Sequence, residues 1–243
     1  MSLKDLKSDD SIANEKDSVG GGGVLESGLY PITIALAYVS KSDGGATGLV
    51  LQGKTEQGRF VKQTLWMTSG TAKGCKNFYE KDGVKNYLPG FIAANALALL
   101  TLGKEISDLD TEVKVANVYN SVAKAEVPTK VDMIVDLIGK EVIVGLIKQT
   151  VDKNQKNDAG VYVPTGETRE ENEIDKFFRA SDKLTTAEVR AAANEPVFYS
   201  TWESKWAGQV RNKASKTAGT AGAPKAAFGG APVTKKPATS LFA

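Results

Sequence analysis

The sequence contains no histidine in 243 residues and a single cysteine, Cys75. Without imidazole there is no Ser-His-Asp or Cys-His catalysis, and no unperturbed side chain that changes charge near neutral pH. One thiol cannot form a four-thiolate zinc site or an internal disulfide framework, which fits a reducing compartment. No apolar run is long enough to cross a bilayer, and residues 1–19 lack the apolar centre of a signal peptide. Phosphate-binding glycine motifs are missing as well. Gly20 to Gly23 fail the dinucleotide spacing and follow no strand, and neither Leu102-Gly103-Lys104-Glu105 nor Ile138-Gly139-Lys140-Glu141 has the flanking residues of a Walker loop. The expectation is a protein that is not an enzyme and carries no cofactor and no metal.

What is present is a chain of ordinary globular composition, 41% hydrophobic and 25% charged. Its net charge of +2 is unevenly placed. From Ser204 onward there are seven cations and no acid, so the 31 cations less these seven leave 24 against 29 acids in residues 1–203. Within that mildly acidic body, residues 41–91 reverse the sign, with eight cations and four acids. A local basic face on an acidic body points to a polyanion site of limited extent.

That basic region contains the stretch from Lys73 to Phe91. Lys73, Lys76, Lys81 and Lys85 alternate there with Phe78, Tyr79, Tyr87 and Phe91. Cations match phosphates, and aromatic rings offer a flat face to unpaired bases. Gly74, Gly83 and Gly90 interrupt the stretch, which reads as a mobile loop. Lys54, Arg59 and Lys62 flank an upstream hairpin and are placed to track phosphates. Trp66, at a strand end, fits either a stacking platform or core packing. Lys148 and Lys153 flank a later hairpin and complete the candidate DNA-contacting set.

Around these residues the pattern predicts strands over Gly28–Val39, Thr47–Lys54 and Arg59–Met67, then a helix over Phe91–Leu102 ended by Gly103. Strands follow over Glu112–Tyr119 and Glu141–Val151, the latter with Gly145 as a bulge, while Val131–Leu137 receives no assignment. Asp152–Gly160 reads as a polar turn leading to a short strand at residues 161–163. Two capping-box patterns, Thr168-x-x-Glu171 and Thr185-x-x-Glu188, predict C-terminal helices. On this reading Glu167, Glu170, Glu171, Glu173 and Asp175 belong to a solvated helix and not to a metal cluster. Three strands, a helix and two further strands form the order of a five-stranded OB-like barrel, giving a mostly β, α+β fold. The domain plan is a flexible leader over residues 1–23, an OB-like domain with a helical extension over 24–206, and a basic disordered tail over 207–243. Leu241 and Phe242 form an apolar tip on that tail, suited to docking on a partner protein.

The run from Lys85 to Glu105, KNYLPGFIAANALALLTLGKE, resembles a signature of single-stranded DNA-binding proteins of podovirus-type tailed bacteriophages. The runs EVPTKVDMIVDLIGKEV and KQTVDKNQKNDAGVYVPTGETREENEIDKFF, between Glu126 and Phe178, resemble the same family, and the likeness extends over roughly residues 25–205. The resemblance implies an OB-like core that coats unpaired DNA during phage replication, recombination or transcription, in the cytoplasm of the infected bacterial host. Its partners would be single-stranded DNA and, through the tail, phage replication proteins or an RNA polymerase. A transcription cofactor recruiting phage RNA polymerase is the alternative function. The tail departs from the acidic, phenylalanine-tipped tails of many such proteins, since here it is basic.

Overall fold

The computed structural model describes residues 23–120, 123–157 and 162–215. Leu241 and Phe242 therefore lie outside the described residues, as does nearly all of the leader. About half of the chain is strand, and the helices are few. No helix among the described residues is long and apolar enough to cross a membrane.

The first strand, β1 (Gly28–Lys41), organises the rest. Along one edge it pairs antiparallel with β2 (Thr47–Thr55), which pairs with β3 (Phe60–Trp66). Along its other edge, the first half of β1 pairs with β8 (Glu141–Lys156). Near its end, Tyr38 and Val39 pair with β7 (Ala125–Met133), which carries β6 (Glu112–Asn120) as its hairpin partner. β8 pairs antiparallel with the long β9 (Tyr162–Arg179) and in parallel with the short β10 (Val210–Asn212). A separate hairpin joins β4 (Phe78–Lys81) to β5 (Val84–Tyr87).

A register shift between Ile34 and Leu36 explains how β1 serves two cores. Ala35 is the extra residue of a bulge, which resets the alternation. Ile32, Ile34, Ala37 and Val39 consequently face one core together with Leu49, Leu51, Val61, Leu65, Val144 and Leu146. Leu36 and Tyr38 face the opposite side of the sheet and pack with Val50, Ala116 and Val131 under the β6–β7 hairpin. The main core is closed from below by α1 (Pro89–Leu102), whose Ala94, Leu97 and Leu100 are buried. Pro89 sits in its first turn, where the missing N–H has no intrahelical partner in any case. Gly103, at φ 70°, ends it by donating to the Leu99 carbonyl.

α3 (Val197–Trp206) covers the outer face of β8. Trp202 packs there on Ile143, Ile147 and Phe178, and a Cβ on Gly145 would lie 2.9 Å from the Trp202 ring. Gly145 therefore marks a close approach, while the register shift beside it has its extra residue on the partner strand, Asp175 of β9, and not in β8 as predicted. α2 (Thr186–Arg190) starts from the expected capping box, with Thr185 Oγ1 accepting from the Glu188 N–H and Glu188 accepting from the Thr185 N–H.

Several expectations need correction. The sheet has eight strands in place of the expected five, and it is open: no ladder joins β3 to β9 among the described residues. The two edges meet through α1 and through Gln63, whose side-chain oxygen accepts from the Ile174 N–H at 2.6 Å. The polar segment after Val151 is not a turn, since β8 continues to Lys156. The first capping box does not start a helix either, because residues 162–179 form β9. The long β8 offers that segment a nonlocal ladder, and this outweighs the local helix signal. Within the Lys73–Phe91 stretch, expected as a loop, residues 78–87 form a paired hairpin and Phe91 belongs to α1. Asp82 and Gly83, both with positive φ, make the hairpin's two-residue turn. Finally, the folded body extends past Trp206, through β10 to Ser215, whose N–H donates to Asp152.

Candidate nucleic-acid interface

Residues directly opposite in an antiparallel ladder share a face, so the ladders fix what the outer surface of β1, β2 and β3 presents. On β3 the outward residues are Phe60, Lys62, Thr64 and Trp66, while Val61 and Leu65 are buried. Across from them on β2 stand Lys54, Gln52, Val50 and Gly48 respectively. Lys54, Lys62, Phe60 and Trp66 thus share one exposed surface. Phe60 is 59% exposed and Trp66 43%. Phe60 is a candidate that the sequence reading left out, although its spacing of two from Lys62 and six from Trp66 was the available signal.

This surface is a trough between two covers. The β6–β7 hairpin rests on Tyr38 and Val50 at one side, and α3 rests on Ile143 and Ile147 at the other. Arg59 stands at the β2–β3 turn, where its guanidinium donates to the Gly23 carbonyl.

The basic arm, residues 67–88, leaves from the Trp66 end of β3. Its root is fastened to the β1–β2 turn. Met67 and Thr68 donate to the Thr47 carbonyl, and Thr71 donates to the Gly44 carbonyl at 2.8 Å. The chain returns at Gly90, where a Cβ would sit 2.1 Å from the Trp66 carbonyl oxygen, so only glycine permits this approach. Lys73 lies exposed in the short turn at the arm's root.

The hairpin register separates residues that the sequence alone groups together. Phe78 stands opposite Tyr87, and Glu80 opposite Lys85, on one face. Tyr79 stands opposite Asn86, and Lys81 opposite Val84, on the other. The Nζ atoms of Lys76 and Lys85 lie 5.6 and 5.2 Å from the Phe78 ring centroid. Two cations are held over one ring, close enough for cation–π attraction. Tyr87, 58% exposed, rests against Phe91 with centroids 5.0 Å apart. The Phe78–Tyr87 face is therefore a fixed aromatic surface capped by cations. Tyr79, 46% exposed, sits on the opposite face with Lys81.

Lys148 and Lys153 are placed differently. Lys148 is bonded to Glu26 at 3.1 Å and Glu170 at 3.2 Å, with its side chain only 15% exposed. Those two hydrogen bonds hold its ammonium above the usual lysine range. Lys148 lies beside the start of β1, whereas Trp66 lies beside its end. Lys153 pairs with Glu167 at 2.8 Å on the extended β8–β9 hairpin. That hairpin also holds Lys156 5.3 Å from the ring centre of the exposed Tyr162. Neither predicted lysine joins the Phe60–Trp66 surface.

Two carboxylates of β9, Glu173 and Asp175, are engaged by the C-terminal segment. Arg211 and Lys213 each reach Glu173 at 2.6 Å, and the Trp202 indole donates to Asp175. No group of His, Cys, Asp or Glu among the described residues is arranged to hold a metal ion. No known family model matches the chain, and no curated protein matches it either.

Proposed function

We propose that this protein binds and coats single-stranded DNA, serving phage DNA replication, recombination or transcription in an infected bacterial cell. The observation that carries the reading is the outward row of Phe60, Lys62 and Trp66 on β3, with Lys54 beside it and the Phe78–Tyr87 arm rising from the Trp66 end. An unpaired strand lying along that row meets alternating cations and rings. Bases stack on the rings, which tolerate any sequence, while the lysines neutralise phosphates. A rigid duplex keeps its bases stacked on each other and gains only the phosphate contacts.

Two further features support the reading. The strand path β3-β2-β1-β8-β9, with α1 following β3 and packing beneath, is consistent with an OB-like core left open between its edge strands, and this supports the reading. The outer face of the second and third strands is where such cores present oligonucleotide sites. The resemblance of residues 25–205 to podovirus-type single-stranded DNA-binding proteins points the same way.

The test is a titration of single-stranded and duplex oligonucleotides across salt. The expected result is tighter binding to the single strand, with log affinity falling by about 0.7 per log unit of salt for each phosphate contacted. Equal affinity for the two forms would remove this reading.

A further inference from the structure

Resting on that reading, we infer that the trough ends in a pocket which takes one nucleobase and favours bases carrying an exocyclic amino group, cytosine above thymine. The ladders align Glu141, Thr33, Lys54 and Phe60 in one row across β8, β1, β2 and β3, all on the outer face. At the Glu141 end of that row the surface opens into a cavity of about 240 Å³. Ile143 and Ala180 line its apolar part, and Thr33, Lys54, Glu56 and Glu141 its polar part. It is smaller than the roughly 300–1,000 Å³ of drug-sized sites, which matches a single flat ring rather than a whole nucleotide.

The charges decide how a strand would use it. Glu56 and Glu141 repel phosphates, so the backbone stays on the side of Lys54, Arg59 and Lys62. Only a base edge can then point at the two carboxylates. A carboxylate accepts hydrogen bonds and donates none, so it pairs with the N4 amino group of cytosine. Thymine offers O4 at the equivalent position, an acceptor facing an acceptor. None of the ion pairs among the described residues engages Glu56, Glu141 or Lys54. Neighbouring bases on Phe60 and Trp66 remain unread, because stacking does not distinguish them. The pocket therefore imposes a preference at one position of an otherwise sequence-tolerant site.

The experiment measures fluorescence anisotropy of labelled oligothymidylate and oligodeoxycytidylate, each of about 12 nucleotides, at matched salt with the full chain. The parent should bind oligodeoxycytidylate about fivefold to tenfold tighter. Glu141→Gln and Glu56→Gln remove the charge while an amide can also donate to thymine O4. In the double variant the ratio should fall towards one. A nonspecific charge effect would raise both affinities and leave the ratio unchanged. Equal affinity of the parent for the two oligomers, or a ratio that survives both substitutions, would overturn the pocket assignment while leaving the single-strand reading intact. Failure to bind either oligomer would instead remove that reading, and the pocket's role with it.

Discussion

The indole of Trp66 lies over Gly48, its partner across the β2–β3 ladder. A Cβ added to Gly48 would stand 2.8 Å from the Trp66 ring and 2.9 Å from the Thr64 methyl carbon. The absent side chain leaves room for the ring, so Gly48 shapes a platform that it does not itself contribute to. Gly48→Ala should lift the ring and weaken single-strand binding, with less effect than Trp66→Ala. The latter should cost about 1–3 kcal/mol, the range for one stacked base. Of the three tryptophans, Trp202 is buried, so a binding-dependent change in emission that vanishes in Trp66→Phe would assign the contact. Unchanged affinity in Trp66→Ala would remove Trp66 from the site.

The arm should act as a unit that can be undone from its tip. Asp82 and Gly83 both hold positive φ, which β-branched residues resist. Replacing Gly83 by valine should disorder the β4–β5 hairpin and lower DNA affinity. The melting temperature should hold, because the arm lies outside the main core. Circular dichroism melts run beside the binding titration check this.

Within the arm, the faces should behave differently. Tyr87→Ala removes a ring from the cation-capped face and should weaken binding, and Lys76→Ala or Lys85→Ala should lower the salt slope by about 0.7 each. Tyr79→Ala acts on the opposite face, and a smaller loss is expected. The ranking is read from the four titrations, and equal losses for Tyr79 and Tyr87 would show that the strand wraps both faces.

Lys148→Ala should leave the salt slope of DNA binding unchanged and lower the melting temperature, since it removes the cation that Glu26 and Glu170 share. Its pKa is raised by the folded state, so this contribution is complete below the ordinary lysine pKa and is lost as pH rises through the higher folded value. On the alkaline side, the difference in melting temperature between parent and variant should therefore shrink only in strongly alkaline solution.

Glu188 ties α2 to α3. It accepts from the Thr185 N–H and, at 2.8 Å, from the Phe198 N–H. Burial works against its charge, but these backbone donors outweigh burial and hold the carboxyl below its usual range. Glu188→Ala should cost about 0.5–2 kcal/mol, as the loss of a helix cap does. A depressed folded pKa gives stability that is present above the ordinary glutamate pKa and lost as pH falls through the lower folded value. Melting curves of parent and variant should converge in acid.

Much of this arrangement was legible in the chain. The strands from Gly28, Thr47 and Arg59, the α1 helix between Pro89 and Gly103, and the second capping box are short-range patterns. The chemistry excluded by the missing histidines is equally a property of the sequence. What the chain could not decide depends on partners far away in sequence. Residues 162–179 carry a helix-start pattern and many acids, yet they form β9 because β8 supplies a ladder along their length and Arg211 and Lys213 neutralise Glu173. The bulge at Ala35, which sends Tyr38 to a different core from Ala37, is set by pairing with β2. The Asp82-Gly83 turn was readable as a hairpin, and with it the separation of Tyr79 from Tyr87 by the two-residue period. That Lys148 is spent on Glu26 and Glu170 required the tertiary structure, since Glu26 is 122 residues away. The same holds for Trp66 lying outward over a glycine. Local propensity marked the strands and helix whose signals are short-range, while long-range pairing decided the element type of residues 162–179 and which side of β1 faces each core.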